Sequence, residues 1–251
     1  MIHIKDWKEK WVLITGGSER VGAGVSEYLA ARGFNLIAHA RTDRPALHAF
    51  KARIEQEYGV RVETVVGELT NEAEVKAIFA KHSPDVVVNN AAVFKKNDTE
   101  ENMAANKQAP LLVTREAIAR MRADKKGGVI FFVGDAFLAR GGVYSEDLAG
   151  YTLSKSWILD EVNKLAPLGK EGIRVLAVLN GPIEPPLTAS PESVAAIAKE
   201  INIPDKDLNP WIGGSRVGEA MYGLIIAEAI SGTCVLVDGG RRVTGTAPNE
   251  H

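Results

Sequence analysis

Short blocks of continuous apolar, β-branched residues alternate along this chain with longer stretches in which apolar positions recur every three or four residues. The blocks are Trp11-Val12-Leu13-Ile14-Thr15, Phe34-Asn35-Leu36-Ile37-Ala38-His39, Val60-Arg61-Val62-Glu63-Thr64-Val65-Val66, Asp85-Val86-Val87-Val88, Gly128-Val129-Ile130-Phe131-Phe132-Val133, Arg174-Val175-Leu176-Ala177-Val178-Leu179 and Cys234-Val235-Leu236-Val237. Apolar character that is continuous, not alternating, belongs to strands covered on both faces, as in a parallel sheet. Between them, Val21, Val25, Tyr28 and Leu29 keep helical spacing as far as Arg32-Gly33, and further helices are expected over 45–58, 101–123 and 217–230. Another follows Gly67-Glu68-Leu69-Thr70, with Thr70 as its N-cap, and one carries Tyr151 and Lys155. The rhythm is unbroken except for a Pro-rich irregular stretch at 183–211, so the pattern predicts one α/β domain over 1–251, doubly wound, with that stretch as a covering loop.

Composition narrows this little. Hydrophobic residues make up 45% and charged residues 25% of the 251, the mix of an ordinary globular chain long enough to bury a large core. Thirty Lys and Arg against 32 Asp and Glu, with only isolated basic doublets, give no footprint for nucleic acid. No apolar run approaches membrane-spanning length and the first residues lack a signal-peptide core, so a cytoplasmic location is the expectation. The single cysteine, Cys234, excludes an internal disulfide and is expected to be a small buried strand side chain.

Candidate chemistry gathers at the ends of the predicted strands. The first runs into Gly16-Gly17-Ser18-Glu19-Arg20-Val21-Gly22-Ala23-Gly24 and then a helix. Gly16 permits a tight turn, and Gly22 lets a phosphate approach the positive end of the helix. Strand, glycine turn and helix in this order form the opening of a Rossmann-type dinucleotide site. Where NAD-preferring proteins of this kind carry an acidic residue after the second strand, this chain has Arg41 and Thr42, which favours the 2′-phosphate of NADPH; the alternative is a solvated loop arginine. Tyr151 and Lys155 lie one helical turn apart, so an ammonium would face a phenol and lower its pKa for acid–base work. On an isolated helix such a pair is more often two solvated side chains.

Taken in order, the glycine turn, Asn89-Asn90-Ala91-Ala92, Asn106, Tyr151-x-x-x-Lys155, Asn180-Gly181-Pro182-Ile183 and Asp238-Gly239-Gly240 resemble the short-chain dehydrogenase/reductases over nearly the whole chain. The resemblance implies a seven-stranded parallel sheet and hydride transfer with NADPH/NADP+. It implies that Tyr151 supplies a proton, that Lys155 holds the nicotinamide ribose, and that Asn106 steadies a water-mediated proton path. It places the cofactor against Gly16, Ser18, Arg20, Val21, Gly22, His39, Arg41, Thr42, Glu68, Leu69, Asn89, Ala91 and Ile183 as well as the Tyr–Lys pair. It also implies a homo-oligomer, tetramer or dimer, built on the long helix near Asn106 and the Tyr151 helix. Trp157, Ile158 and Leu165 suit that interface and equally suit a core. No metal ligand set is expected.

Departures from the general pattern resemble the pteridine reductase branch. Arg20 gives Thr-Gly-x-x-x-Arg-Val-Gly, Arg41 is basic, Phe94 follows the Asn-Asn-Ala turn, and Asp135 stands where most members carry a serine after the fifth strand. The resemblance puts Phe94, Arg20, Asp135 and Tyr151 around a small-molecule substrate, with Asp135 helping to protonate a ring imine. Asp135 precedes Tyr151 by three residues more than the usual spacing, which would select Leu138, and Gly141 to Leu148 is the expected insertion. Asn180 replaces a usual proline and Pro185 a usual threonine, so fewer cofactor contacts are expected there. The resulting expectation is an NADPH-dependent reductase of a C=N or C=O bond, most of all in a dihydropteridine. The alternatives are a carbonyl reductase or alcohol dehydrogenase for another small molecule, and a non-catalytic NADP(H)-sensing protein.

Overall fold

The computed structural model describes residues 6–139, 141–142, 144–181, 192 and 213–239. Seven parallel strands form one sheet: β1 (Trp11–Thr15), β2 (Asn35–Ala40), β3 (Val62–Val66), β4 (Val86–Asn89), β5 (Gly128–Asp135), β6 (Ile173–Asn180) and β7 (Thr233–Val237). Their order is β3-β2-β1-β4-β5-β6-β7. The order reverses between β1 and β4, which opens a crevice at the carboxyl ends of the central strands, where ligands bind in doubly wound sheets. The expected α/β Rossmann-type domain and its seven strands are both present.

Helices cover both faces because the central strands are apolar on both. On one side α1 (Arg20–Ala30), α2 (Pro45–Tyr58) and α9 (Gly214–Ile226) bury Val25, Leu29, Phe50, Ile54, Val217 and Met221 against the sheet. On the other, α3 (Glu72–Lys81), α5 (Ala109–Ala123), α7 (Ala149–Ser156) and α8 (Ile158–Leu165) flank the sheet, where Val75, Phe79, Val113, Met121, Ile158 and Val162 fill the second core. Each fully buried Leu, Ile or Phe contributes roughly 1.5–3 kcal/mol against exposure.

Several boundaries depart from expectation for local reasons. The N-cap of α3 is Asn71, not Thr70, because the Asn71 carboxamide accepts the Ala73 N–H at 3.0 Å. The long helix starts earlier than 101: α4 (Thr99–Met103) is capped by Asp98, passes through a π turn at Ala104–Gln108, and continues as α5. The last helix spans Gly214–Ile226 instead of 217–230. Its carboxyl end is closed by a buried arginine from β6, whose guanidinium donates to the carbonyls of Leu224 (2.7 Å), Ile225 (2.6 Å), Ala227 (3.2 Å) and Ile230 (3.1 Å). Burial lowers the pKa of this group, Arg174, and Glu228 partly offsets the shift. Arg174→Met keeps the stem and leaves four carbonyls without their donor, so urea unfolding should show a loss of about 3 kcal/mol; an unchanged midpoint would refute the role.

Cys234 is only partly buried, and burial raises its thiol pKa, which disfavours the thiolate. Ile158 lies in the core, Trp157 packs edge-on to Phe132 with ring centroids 5.3 Å apart, and Leu165 packs on the same core. Ile158 is thus part of its own chain's core, and Trp157 and Leu165 are partly covered by it. No helix among the described residues is long and apolar enough to cross a membrane, and no group of potential metal ligands occurs among them.

Candidate active site

The crevice floor is a set of strand ends tied together by side chains. Thr15 at the end of β1 donates its hydroxyl to the Val88 carbonyl and accepts the Asn90 and Ala91 N–H groups, both at 2.9 Å. The Asn90 carboxamide donates to the carbonyls of Thr15 (2.8 Å) and Gly16 (3.2 Å). Asn89, expected beside the cofactor, is buried at the end of β4 and donates to the Thr114 hydroxyl at 3.0 Å. Its neighbour Asn90 is the one that shapes the glycine turn, a distinction that two adjacent asparagines do not reveal in sequence.

Gly16 has φ +62°, in the left-handed region that the turn requires. Its N–H points at His39 Nδ1 (3.4 Å), while His39 Nε2 donates to the Gly67 carbonyl at 2.9 Å. A carbonyl only accepts, so Nε2 carries the proton and Nδ1 is the acceptor. Burial lowers the pKa of the ring and keeps it neutral. His39 thus lies under the turn and joins the ends of three strands, with both nitrogens occupied by backbone.

Above this floor the amino end of α1 is open. Its N-cap, Glu19, makes no side-chain cap, so the first amide N–H groups remain available to an anion. A Cβ on Gly22 would fall 1.9 Å from the Gly16 carbonyl oxygen, so only glycine lets helix and turn meet this closely. Arg41 and Thr42 are exposed at the end of β2, and Arg41 has no ion-pair or hydrogen-bond partner among the described residues. Nearby Arg44 pairs with Glu19 at 2.9 Å. Arg20 is exposed, Ser18 and Val21 are partly covered, and Leu69 is buried. Glu68 accepts the Thr70 N–H at 3.1 Å, and its own N–H donates to Glu74. An uncapped helix end, a glycine cradle and an unpartnered arginine at the second strand suit a dinucleotide phosphate set. Ile183, Pro185 and the 183–211 stretch lie outside the described residues, apart from Glu192.

The second half of the crevice centres on Asp135, the last residue of β5. The strand runs two residues past the expected Val133, and that extension delivers the carboxylate to Tyr151 despite the long spacing. Asp135 Oδ2 accepts the Tyr151 hydroxyl at 3.0 Å and the Tyr144 hydroxyl at 2.8 Å. Its Oδ1 accepts the N–H groups of Phe137 (2.8 Å) and Leu138 (3.3 Å), which start the short helix α6 (Ala136–Ala139). Leu138, the residue at the usual spacing, offers only this backbone N–H.

Lys155, one turn after Tyr151, donates to the Val133 carbonyl at 3.1 Å. Burial lowers its pKa to about 8, partly offset by Asp135. The Tyr151 phenol is pushed well above its ordinary value by burial first, and by the Asp135 charge next. This reverses the expectation that the ammonium lowers the phenol: the hydroxyl is buried and turned to a carboxylate, and both raise its pKa.

Phe94 roofs the site. It is 48% exposed, and its ring lies 4.6 Å from that of Tyr151 and 5.8 Å from that of Tyr144. Two buried asparagines one helical turn apart hold its loop. Asn106, in the π turn, accepts the Val93 N–H at 2.8 Å and donates to the Val93 carbonyl and to Ser154 Oγ, both at 2.9 Å. Asn102 brackets Lys95 and Asp98 in the same manner. Asn106 therefore ties the Phe94 loop to the helix of Tyr151. Asn102 and Tyr144 were not legible in the sequence, since isolated polar residues in a helix or connector carry no pattern of their own.

The family described as short chain dehydrogenase matches residues 10–194, more than half of the chain. An oxidoreductase of Bacillus subtilis, YmfI, is 28% identical over 210 residues, covering 77% of this chain and 84% of its own. The 3-oxoacyl-acyl-carrier-protein reductase of Aquifex aeolicus is 25% identical over 253 residues, covering 91% and 95%. Among solved structures, a blue fluorescent protein from a metagenomic library in complex with NADPH matches with TM-score 0.78 at 23% identity, covering 94% of this chain and 99% of its own. A provisional gluconate dehydrogenase from Agrobacterium tumefaciens matches with TM-score 0.80 at 23% identity, covering 95% and 98%.

Proposed function

This chain belongs to the short-chain dehydrogenase family, and on that premise we propose that it is an NADPH-dependent reductase of a flat nitrogen heterocycle of the dihydropteridine type. The observation that carries the reading is the hydrogen bond between Asp135 and Tyr151 beneath the half-exposed ring of Phe94. A carboxylate accepts hydrogen bonds only, so it repels a simple ketone oxygen and favours a ring that presents N–H groups. The faces of Phe94 and its aromatic neighbours suit a planar ring.

Bound NADPH supplies the hydride. The open end of α1 and the cradle at Gly16 and Gly22 take its phosphates, Arg41 with Thr42 takes the 2′-phosphate, and Glu68 and Leu69 lie by the adenine. Lys155 holds the ribose hydroxyls. Tyr151 carries the proton at its hydroxyl and delivers it to the substrate nitrogen, with Asp135 as its partner. Because the isolated phenol holds its proton tightly, the charge left after delivery must be met by Lys155 in its protonated form. A homo-oligomer buries the remaining apolar helix surface.

The test is NADPH oxidation against dihydropterins, cyclic imines and ketones. Turnover of a dihydropterin that falls about tenfold in Phe94→Ala is expected. Turnover of ketones alone would make the chain a carbonyl reductase, and cofactor binding without any turnover would make it a sensor. Arg41→Ala should weaken NADPH about tenfold or more and leave NADH nearly unchanged, read by fluorescence titration; equal losses would remove the cofactor preference.

The pH dependence follows from Lys155. Its pKa in the free enzyme is lowered to about 8, so the ammonium is lost as pH rises through that value. The kcat/KM profile, which reports free-enzyme groups, should fall above that pH. In Lys155→Arg, whose charge persists, the fall should be absent; a limb that stays in place in this variant would assign it elsewhere.

A further inference from the structure

The connector after β5 contributes a second phenol to the same carboxylate. A carboxylate offers about four lone-pair sites, and at Asp135 the protein fills them all: two backbone N–H groups on Oδ1, and Tyr144 and Tyr151 on Oδ2. Tyr151 cannot give its hydroxyl proton to a substrate while that proton lies on Asp135. When it turns away, the vacated site on Oδ2 is open to a substrate N–H, and the protein donor that remains on that oxygen is Tyr144.

Tyr144 is built to stay. The turn before it closes through hydrogen bonds from Gly141 N–H to the Leu138 carbonyl (2.9 Å) and from Gly142 N–H to the Phe137 carbonyl (3.0 Å). The ring of Tyr144 lies 4.9 Å from that of Phe137 and 5.4 Å from that of Tyr151. Just after it, Asp147 accepts the Asn97 N–H at 2.7 Å and pairs with Lys96 at 2.8 Å, and Leu148 is fully buried. The connector is thus fixed on both sides of the phenol.

We propose that Tyr144 is a positioning residue that holds Asp135 in place and hydrogen-bonded while Tyr151 swings its hydroxyl from the carboxylate to the substrate. The inference rests on the reading of Tyr151 as the proton donor, and it requires no particular substrate. Tyr144 lies outside the Tyr-x-x-x-Lys turn, and its effect passes through Asp135.

Tyr144→Phe keeps the ring and its packing and removes only the hydroxyl. With whichever dihydropterin, imine or ketone the wild type reduces, kcat should fall about tenfold, the value of one charge-assisted hydrogen bond. KM and NADPH affinity should stay unchanged, and the solvent isotope effect should rise. In an Asp135→Asn background the same change should have no further effect. Infrared difference spectra of protein labelled at its aspartate carboxyls, read without any substrate, should show the Asp135 band shifted in Tyr144→Phe. An unmoved band overturns the inference even if no substrate turns over, and an unchanged kcat overturns it where one does. A fall in kcat matched by lost NADPH affinity would make Tyr144 merely structural.

Discussion

Tyr151→Phe should bind NADPH as the native protein does and lose roughly 10²–10⁴-fold in kcat, the usual contribution of a positioned general acid. The change is small in packing terms. The ring at this position lies between Phe94 at 4.6 Å and Tyr144 at 5.4 Å, and phenylalanine preserves both contacts. Only the hydroxyl bond to Asp135 is lost, and Tyr144 still donates to the same oxygen. Removal of that bond costs about 1–3 kcal/mol of stability at most, whereas the rate loss corresponds to roughly 3–5 kcal/mol in the barrier. Fluorescence titration of NADPH beside steady-state rates separates the two. A variant within a few-fold of native kcat would show that the proton comes from another group.

Gly22→Ala should damage the cofactor site and the fold together. The added methyl would sit 1.9 Å from the Gly16 carbonyl oxygen and 2.7 Å from the Asn90 carboxamide nitrogen. Neither neighbour is free to yield: Asn90 is bonded to Thr15 and Gly16, and the Gly16 N–H points at His39 beneath the turn. The helix end must therefore move. Overpacking of this kind costs about 1–3 kcal/mol, and a shift of about 1 Å in a binding group can cost on the order of a hundredfold. Urea unfolding and NADPH titration should both register the loss; native values in both would mean that α1 does not need this close approach.

The fold was legible because buried parallel strands write themselves as continuous apolar runs, and all seven fell near their observed places. Boundaries failed where one side chain decides them. Asn71 outcompetes Thr70 as a cap, and a π turn at Ala104–Gln108 inserts within a helix whose apolar spacing looks regular. In the site, sequence order named Tyr151, Lys155 and Asp135, but the distance between Asp135 and Tyr151 depended on how 136–148 folds, which spacing alone does not give. Burial was the other hidden quantity. A lysine four residues from a tyrosine suggests a lowered phenol, whereas desolvation and Asp135 drive that phenol upward. His39, expected near the cofactor, turns its ring under the glycine turn and forms part of the floor.

The central claim is that this crevice moves a hydride from NADPH to a ring C=N bond while Tyr151 delivers the proton. A single turnover of a dihydropterin with NADPH deuterated at its hydride position, in ordinary water, tests it most directly. Deuterium on the reduced ring carbon, complete with the native protein and still nearly absent with Tyr151→Phe after the time one native turnover takes, is the expected result. A reduced ring without deuterium, or equal transfer by the two proteins, would contradict the account.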